Sequence, residues 1–104
     1  MASTLTLNIS DLLIFREVLV WNMELVERIN LVIKQEGYTR PMLEKATGIK
    51  AKRWENMSGK IAKPYAEELE ALGRLWPEYA YWLITGSEIP EAGQISPMTK
   101  KSIT

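Results

Sequence analysis

Apolar residues recur at helical spacing through most of the chain. Between residues 23 and 36, Leu25, Val26, Ile29, Val32 and Ile33 fall on one stripe, which predicts a helix with Asn22 as its N-cap. Gly37 stands where a C′ glycine would end it. A shorter helix is expected next. Thr39 caps it, Pro41 lies in its first turn, Met42, Leu43 and Ala46 form its inner face, and Thr47-Gly48 closes it. Ile49 is apolar, and a second short helix over 50–57 has Trp54 and Met57 as its strong apolar residues, three apart. Ser58-Gly59-Lys60 reads as a turn. Pro64 is expected to open a fourth helix with Tyr65, Leu69, Leu72 and Trp76 inward, and Pro77 a fifth with Tyr79, Trp82 and Leu83 inward, ending at Gly86.

The two ends are less regular. Leu5, Leu7 and Ile9 alternate with polar residues at a strand period, while Ser10 could cap a helix from Asp11. Leu12, Leu13, Ile14, Phe15, Val18, Leu19, Val20 and Trp21 are apolar on nearly every side, the pattern of a segment buried in a core or against another chain. Residues 87–104 carry Pro90, Gly93, Pro97 and several Ser and Thr without periodicity, and read as a loop or tail. The expected division is an extension over 1–21, a helical domain over 22–86 and a tail over 87–104.

Composition narrows the chemistry. The 104 residues include no Cys and no His. Thiol catalysis, thiolate zinc sites and disulfides are excluded, and the usual neutral-pH general base and commonest metal ligand are missing. No metal site and no cofactor is implied. Glu67, Glu68 and Glu70 are the one carboxylate cluster, and neighbouring helix positions diverge around the axis, so no enzyme is expected. The apolar run over 12–33 is broken by Arg16, Glu17, Glu24, Glu27 and Arg28, so no membrane span is expected and the protein is read as cytoplasmic.

Charge is balanced overall, 13 basic against 13 acidic residues, but it is segregated. Residues 34–63 hold eight basic residues (Lys34, Arg40, Lys45, Lys50, Lys52, Arg53, Lys60, Lys63) against Glu36, Glu44 and Glu55, a net of +5, leaving −5 elsewhere. Such a patch suits either a polyanion or an ordinary solvated face.

The patch coincides with a short helix, a glycine turn and a second short helix, the spacing of a helix-turn-helix. The second helix is too poor in apolar residues to fill a core, and its free surface suits a major groove. Here the chain resembles the helix-turn-helix domain of Cro/C1-type (XRE-type) transcriptional regulators of phages and bacteria. The resemblance covers 22–86: the helix ending in Gly37, the segment from Thr39 to Gly48, Lys63-Pro64, and the closing Tyr81-Trp82-Leu83-Ile84-Thr85-Gly86, similar to a "WLLTG" ending. It departs from the family pattern in Arg40 where Gln is usual, Lys50 where a Ser or Thr cap is usual, Trp54 where an aliphatic residue is usual, and a segment between Gly48 and Gly59 about one residue short.

The resemblance implies an all-α, compact five-helix, lambda-repressor-like domain that binds double-stranded DNA as a transcriptional regulator, a repressor in sign. It implies base contacts from Lys50, Lys52, Arg53 and Asn56 and phosphate contacts from Arg40, Lys45, Lys60 and Lys63. The alternative for each is a solvated surface charge. Family members commonly form homodimers on half-sites roughly 34 Å apart. Leu12, Leu13, Phe15, Val18 and Leu19 are then the candidate dimer surface, or part of an extra helix folded on the same monomer. Trp21, Trp54, Trp76, Tyr79 and Trp82 read as core rather than as a ligand pocket. The competing reading is a protein-interaction module, an antitoxin or anti-repressor bound to a second protein, whose helix-turn-helix no longer reads DNA.

Overall fold

A computed structural model describes residues 23–103. The extension over 1–21, with its candidate dimer residues Leu12, Leu13, Phe15, Val18 and Leu19, lies outside the described residues, as do Asn22 and Trp21.

Helix α1 (Leu25–Glu36) buries Val26, Ile29 and Val32. It starts two residues later than the stripe suggested, with Glu24 at the N-cap position. Gly37 takes the left-handed conformation at φ 70°, and the N–H groups of Gly37 and Tyr38 return to the Lys34 and Ile33 carbonyls. Helix α2 (Arg40–Thr47) begins as expected: the Thr39 hydroxyl accepts from the Met42 N–H at 3.3 Å. Helix α3 (Ala51–Ser58) follows the turn at Gly48. Helix α4 (Ala66–Leu75) starts with Tyr65 as its N-cap residue, so Pro64 lies just outside the first turn rather than in it. Pro77 opens a single 3₁₀ turn (Pro77–Tyr79), which leads into α5 (Ala80–Thr85).

These five helices enclose one core. Ile29, Val32, Leu43, Trp54, Met57, Leu72, Tyr79, Trp82 and Leu83 are fully or almost fully buried, and Trp76 is nearly so. Trp54, Trp76, Tyr79 and Trp82 therefore act as core, as their spacing suggested. Burial of each large apolar side chain contributes about 1.5–3 kcal/mol, and the aromatics supply much of the bulk. Trp76 meets Tyr38 edge to face, centroids 4.9 Å apart.

A buried cation closes this unit. Arg28 on α1 lies beneath the C-terminus of α5, donating from Nε to the Leu83 carbonyl at 2.9 Å, from Nη2 to the Ile84 carbonyl, and from Nη1 to the Met23 carbonyl. Burial pulls its pKa below the ordinary arginine value. The carbonyls left open at a helix end carry partial negative charge, which suits a cation there.

The C-terminal segment departs from the loop its composition predicted. Ile89 and Gln94 form an antiparallel bridge around a 3₁₀ turn (Pro90–Ala92), and a further helix, α6, spans Pro97–Ile103. Ser96 caps α6, its hydroxyl accepting from the Thr99 N–H at 3.2 Å. Ser96 and Pro97 are buried and Met98 packs against the core. Lys100 joins Glu36 of α1 and Glu78 of the 3₁₀ turn, both at 2.9 Å. α6 is held by Pro97 and Met98 at its start together with a set of polar contacts, so it carries no apolar stripe for the sequence to display.

Candidate nucleic-acid interface

The corner between α2 and α3 is built from local chemistry. Gly48, at φ 78°, sends its N–H to the Glu44 carbonyl at 2.7 Å, a conformation strained for any other residue. The Thr47 hydroxyl donates to the Leu43 carbonyl at 2.6 Å and accepts from the Ile49 N–H at 3.2 Å. Lys50 stands at the N-cap of α3 and gives no side-chain cap. The Glu44 carboxylate on α2 takes that role, accepting from the Ala51 N–H at 2.7 Å. It satisfies an open donor, sets a negative charge against the positive end of α3, and ties the two helices together.

Helix α3 divides into two faces. Trp54 and Met57 are fully buried, and the Trp54 indole N–H donates to the Ile49 carbonyl at 3.2 Å. Lys50, Lys52 and Glu55 are exposed; the Lys52 side chain is 74% exposed and lies 3.4 Å from Glu55. Asn56 is half-buried, and its carbonyl accepts from the N–H groups of Ile61 and Ala62.

Arg53 does not join the outward set. Its side chain is only 23% exposed. Nε and Nη2 donate to Oε1 of Glu68 at 3.2 and 2.6 Å, Nη2 also reaches the Lys63 carbonyl at 2.6 Å, and the guanidinium lies over the Tyr65 ring, 4.4 Å from its centroid. Oε1 of Glu68 accepts from the Tyr65 N–H as well, at 2.9 Å. Nε and Nη2 of Arg53, expected to face bases, are thus engaged within the protein. Position 53 is one turn before Met57, at the edge of the buried face rather than opposite it. Its partner lies fifteen positions away on α4, beyond any local pattern. The one sequence signal for Glu68 was its place three residues after the helix N-cap, where an acid commonly reaches back to the backbone.

The candidate phosphate contacts lie at several points around α3. Arg40 and Lys45 are exposed on α2. Arg40 also lines an open groove with Ile33, Tyr38, Thr39, Pro41, Leu43 and Ser58, which brings it beside the end of α3. Lys60 is exposed and lies 3.7 Å from Glu24 and 3.5 Å from Glu27, so acids of α1 partly neutralise it. The Lys63 side chain is exposed while its carbonyl is fixed by Arg53.

The carboxylates considered for catalysis go separate ways. Glu68 is buried in its pair with Arg53, Glu70 faces Arg74 at 3.7 Å, and Glu67 is exposed. Among the described residues no group of three or more acidic, His or Cys side chains could hold a metal ion, and no helix is long and apolar enough to cross a membrane.

No family model and no curated protein matches the sequence. Among solved structures, the chain is similar to Pf6r from the filamentous phage Pf6 of Pseudomonas aeruginosa PA01, with 36% identity and a TM-score of 0.65 over 73% of this chain and 97% of Pf6r. The likeness extends over nearly all of Pf6r and reaches the sequence as well as the fold. The all-α helix-turn-helix chain described above belongs to the same family as Pf6r.

Proposed function

We propose that the protein binds double-stranded DNA sequence-specifically as a transcriptional regulator of the Cro/C1 type, a repressor in sign, with α3 in the major groove. One observation carries this reading: α3 gives Trp54 and Met57 to the core and turns outward exposed Lys50, half-buried Asn56 and Lys52, whose one ion pair, with Glu55, is itself exposed. A helix with a polar, basic outer face beyond a tight glycine turn fits a groove wide enough for one helix. The relation to Pf6r, a protein of a filamentous phage, fits the phage type of helix-turn-helix chain that the sequence resembles.

In this reading Lys50 and Lys52 favour guanine edges and Asn56 favours adenine, because their donors and acceptors match those edges. Arg40, Lys45, Lys60 and Lys63 contact phosphates and release counterions. A homodimer reads two half-sites about one helical turn, roughly 34 Å, apart. The role is binding rather than catalysis, in the cytoplasm.

Selection of bound sequences from random duplex DNA, followed by a salt titration, tests this. The expected result is a two-fold related motif and an affinity that falls steeply with salt. No retention of any duplex at low salt sinks the reading. A second reading, an antitoxin or anti-repressor bound to a second protein, is favoured by the internal pairing of Lys60 with Glu24 and Glu27 and of Arg53 with Glu68. Co-purification of a different polypeptide, undiminished when Lys50 and Lys52 are replaced by Ala, distinguishes it.

A further inference from the structure

Two anchors fix the loop over 59–65. At its start the Ile61 and Ala62 N–H groups both go to the Asn56 carbonyl, at 2.8 and 3.2 Å. At its end Arg53 holds the Lys63 carbonyl and covers the Tyr65 ring. Between them Lys60 and Lys63 are exposed, and Ile61 is 79% exposed. A single oxygen, Oε1 of the almost fully buried Glu68, collects Arg53 Nε, Arg53 Nη2 and the Tyr65 N–H. One node therefore joins α3, the loop and the start of α4.

We infer that Arg53 is a positioning residue of the DNA surface, binding α3 and the loop over 59–65 into one rigid unit on α4, so that Lys50, Lys52, Asn56, Lys60 and Lys63 meet a duplex in a single register. The inference rests on the DNA-binding reading above. The role needs arginine. A planar guanidinium reaches a carboxylate, a carbonyl and a ring face at once, whereas an ammonium on a flexible stem does not hold all three in fixed directions. The gain is preorganisation: a loop already ordered loses less freedom when a duplex docks.

The test uses the full chain with Arg53→Lys, Glu68→Gln, the double variant, and Lys52→Ala as a surface comparator. Binding to a wild-type-selected duplex is followed across salt concentrations, base preference by repeated selection, and amide hydrogen exchange over 59–65 in the free protein. Arg53→Lys and Glu68→Gln are each expected to weaken binding roughly tenfold on every duplex, about the cost of ordering one more residue. The preferred sequence and the salt slope stay unchanged, exchange over 59–65 rises, and the double variant loses no more than either single one.

Three results overturn the inference: Arg53→Lys relaxes preference at one base pair; Arg53→Lys lowers the salt slope by about one while Glu68→Gln is silent; or both variants leave affinity and loop exchange as in the wild type. A wild-type chain that retains no duplex overturns the DNA reading instead. The exchange data and the coupling between 53 and 68 in thermal unfolding then decide by themselves whether the clamp exists.

Discussion

Lys60 holds φ 63°, the left-handed conformation, while the preceding Gly59, at φ −84°, does not. The residue suited to that conformation sits one position early. A side chain there costs about 1–2 kcal/mol, against which the exposed contacts with Glu24 and Glu27 return little. Exchanging the two, Gly59→Lys with Lys60→Gly, leaves composition and hence the unfolded chain nearly unchanged. A Cβ at position 59 finds only the Glu55 carbonyl oxygen at 3.5 Å, an ordinary contact. The exchanged chain is expected to be more stable by about 1 kcal/mol in chemical denaturation. On α3, Asn56→Ala and Lys52→Ala are expected to relax base preference at one position each, at about 1–3 kcal/mol in binding to the selected duplex. Thermal unfolding of Lys52→Ala should match the wild type, since that side chain is largely exposed. The outward direction of Lys50 and Lys52 was legible from Trp54 and Met57, because helix geometry fixes it once the buried edge is known. The inward direction of Arg53 was not, because Glu68 reaches it only through the tertiary fold.

At the level of elements, the boundaries set by local chemistry were readable and those set by distant partners were not. Thr39 caps α2, and Gly37, Gly48 and Gly86 end α1, α2 and α5 with positive φ, each a matter of a few adjacent residues. The start of α3 depends instead on Glu44, one element back. Glu44→Ala is expected to lower stability by about 0.5–2 kcal/mol, as lost caps do, measured by thermal or urea unfolding. It should also loosen the α2–α3 corner, seen as faster amide exchange at Ala51. α4 has an opposite opportunity. Gly73 lies inside the helix, and a Cβ there meets the Ala80 Cβ at 3.8 Å, ordinary van der Waals contact. Gly73→Ala is expected to stabilise the protein by about 0.5–1 kcal/mol, through the restricted unfolded chain and better helix propensity. A loss of stability would mean that α4 and the turn into α5 pack more tightly than that distance indicates.

Over the whole molecule, the five helices were legible because their apolar residues share one core, whereas α6 was hidden because polar contacts dominate its attachment. Those contacts make its docking pH-dependent. Hydrogen bonds to Glu36 and Glu78 raise the Lys100 pKa above its ordinary 10.5. Burial, then the hydrogen bond to Glu36, raises Tyr79 above its ordinary 10.0. Burial pushes Glu78 upward, but the Lys100 hydrogen bond, a backbone hydrogen bond and the Lys100 charge together outweigh it and leave the net value below 4.5. Lys100 and Tyr79 thus stabilise fully below their ordinary values, and that contribution is lost as pH climbs through the raised ones. Glu78 stabilises above its ordinary value and loses this as pH falls through the depressed one. The thermal midpoint is expected to be highest between about pH 5 and 10, falling on either side. Lys100→Met removes both ion pairs and should lower the plateau by about 1–2 kcal/mol, read as a lower thermal midpoint at neutral pH.

Arg28 has a consequence for how this chain could be re-cut. By grasping the Met23 carbonyl and the final carbonyls of α5 with one guanidinium, it places the two ends of the five-helix unit within the span of a single side chain. Topologically the unit is close to a ring. A bridge of a few residues could join those ends, and the polypeptide could then be opened at another exposed turn, with the order of helices around the core rotated but their packing retained.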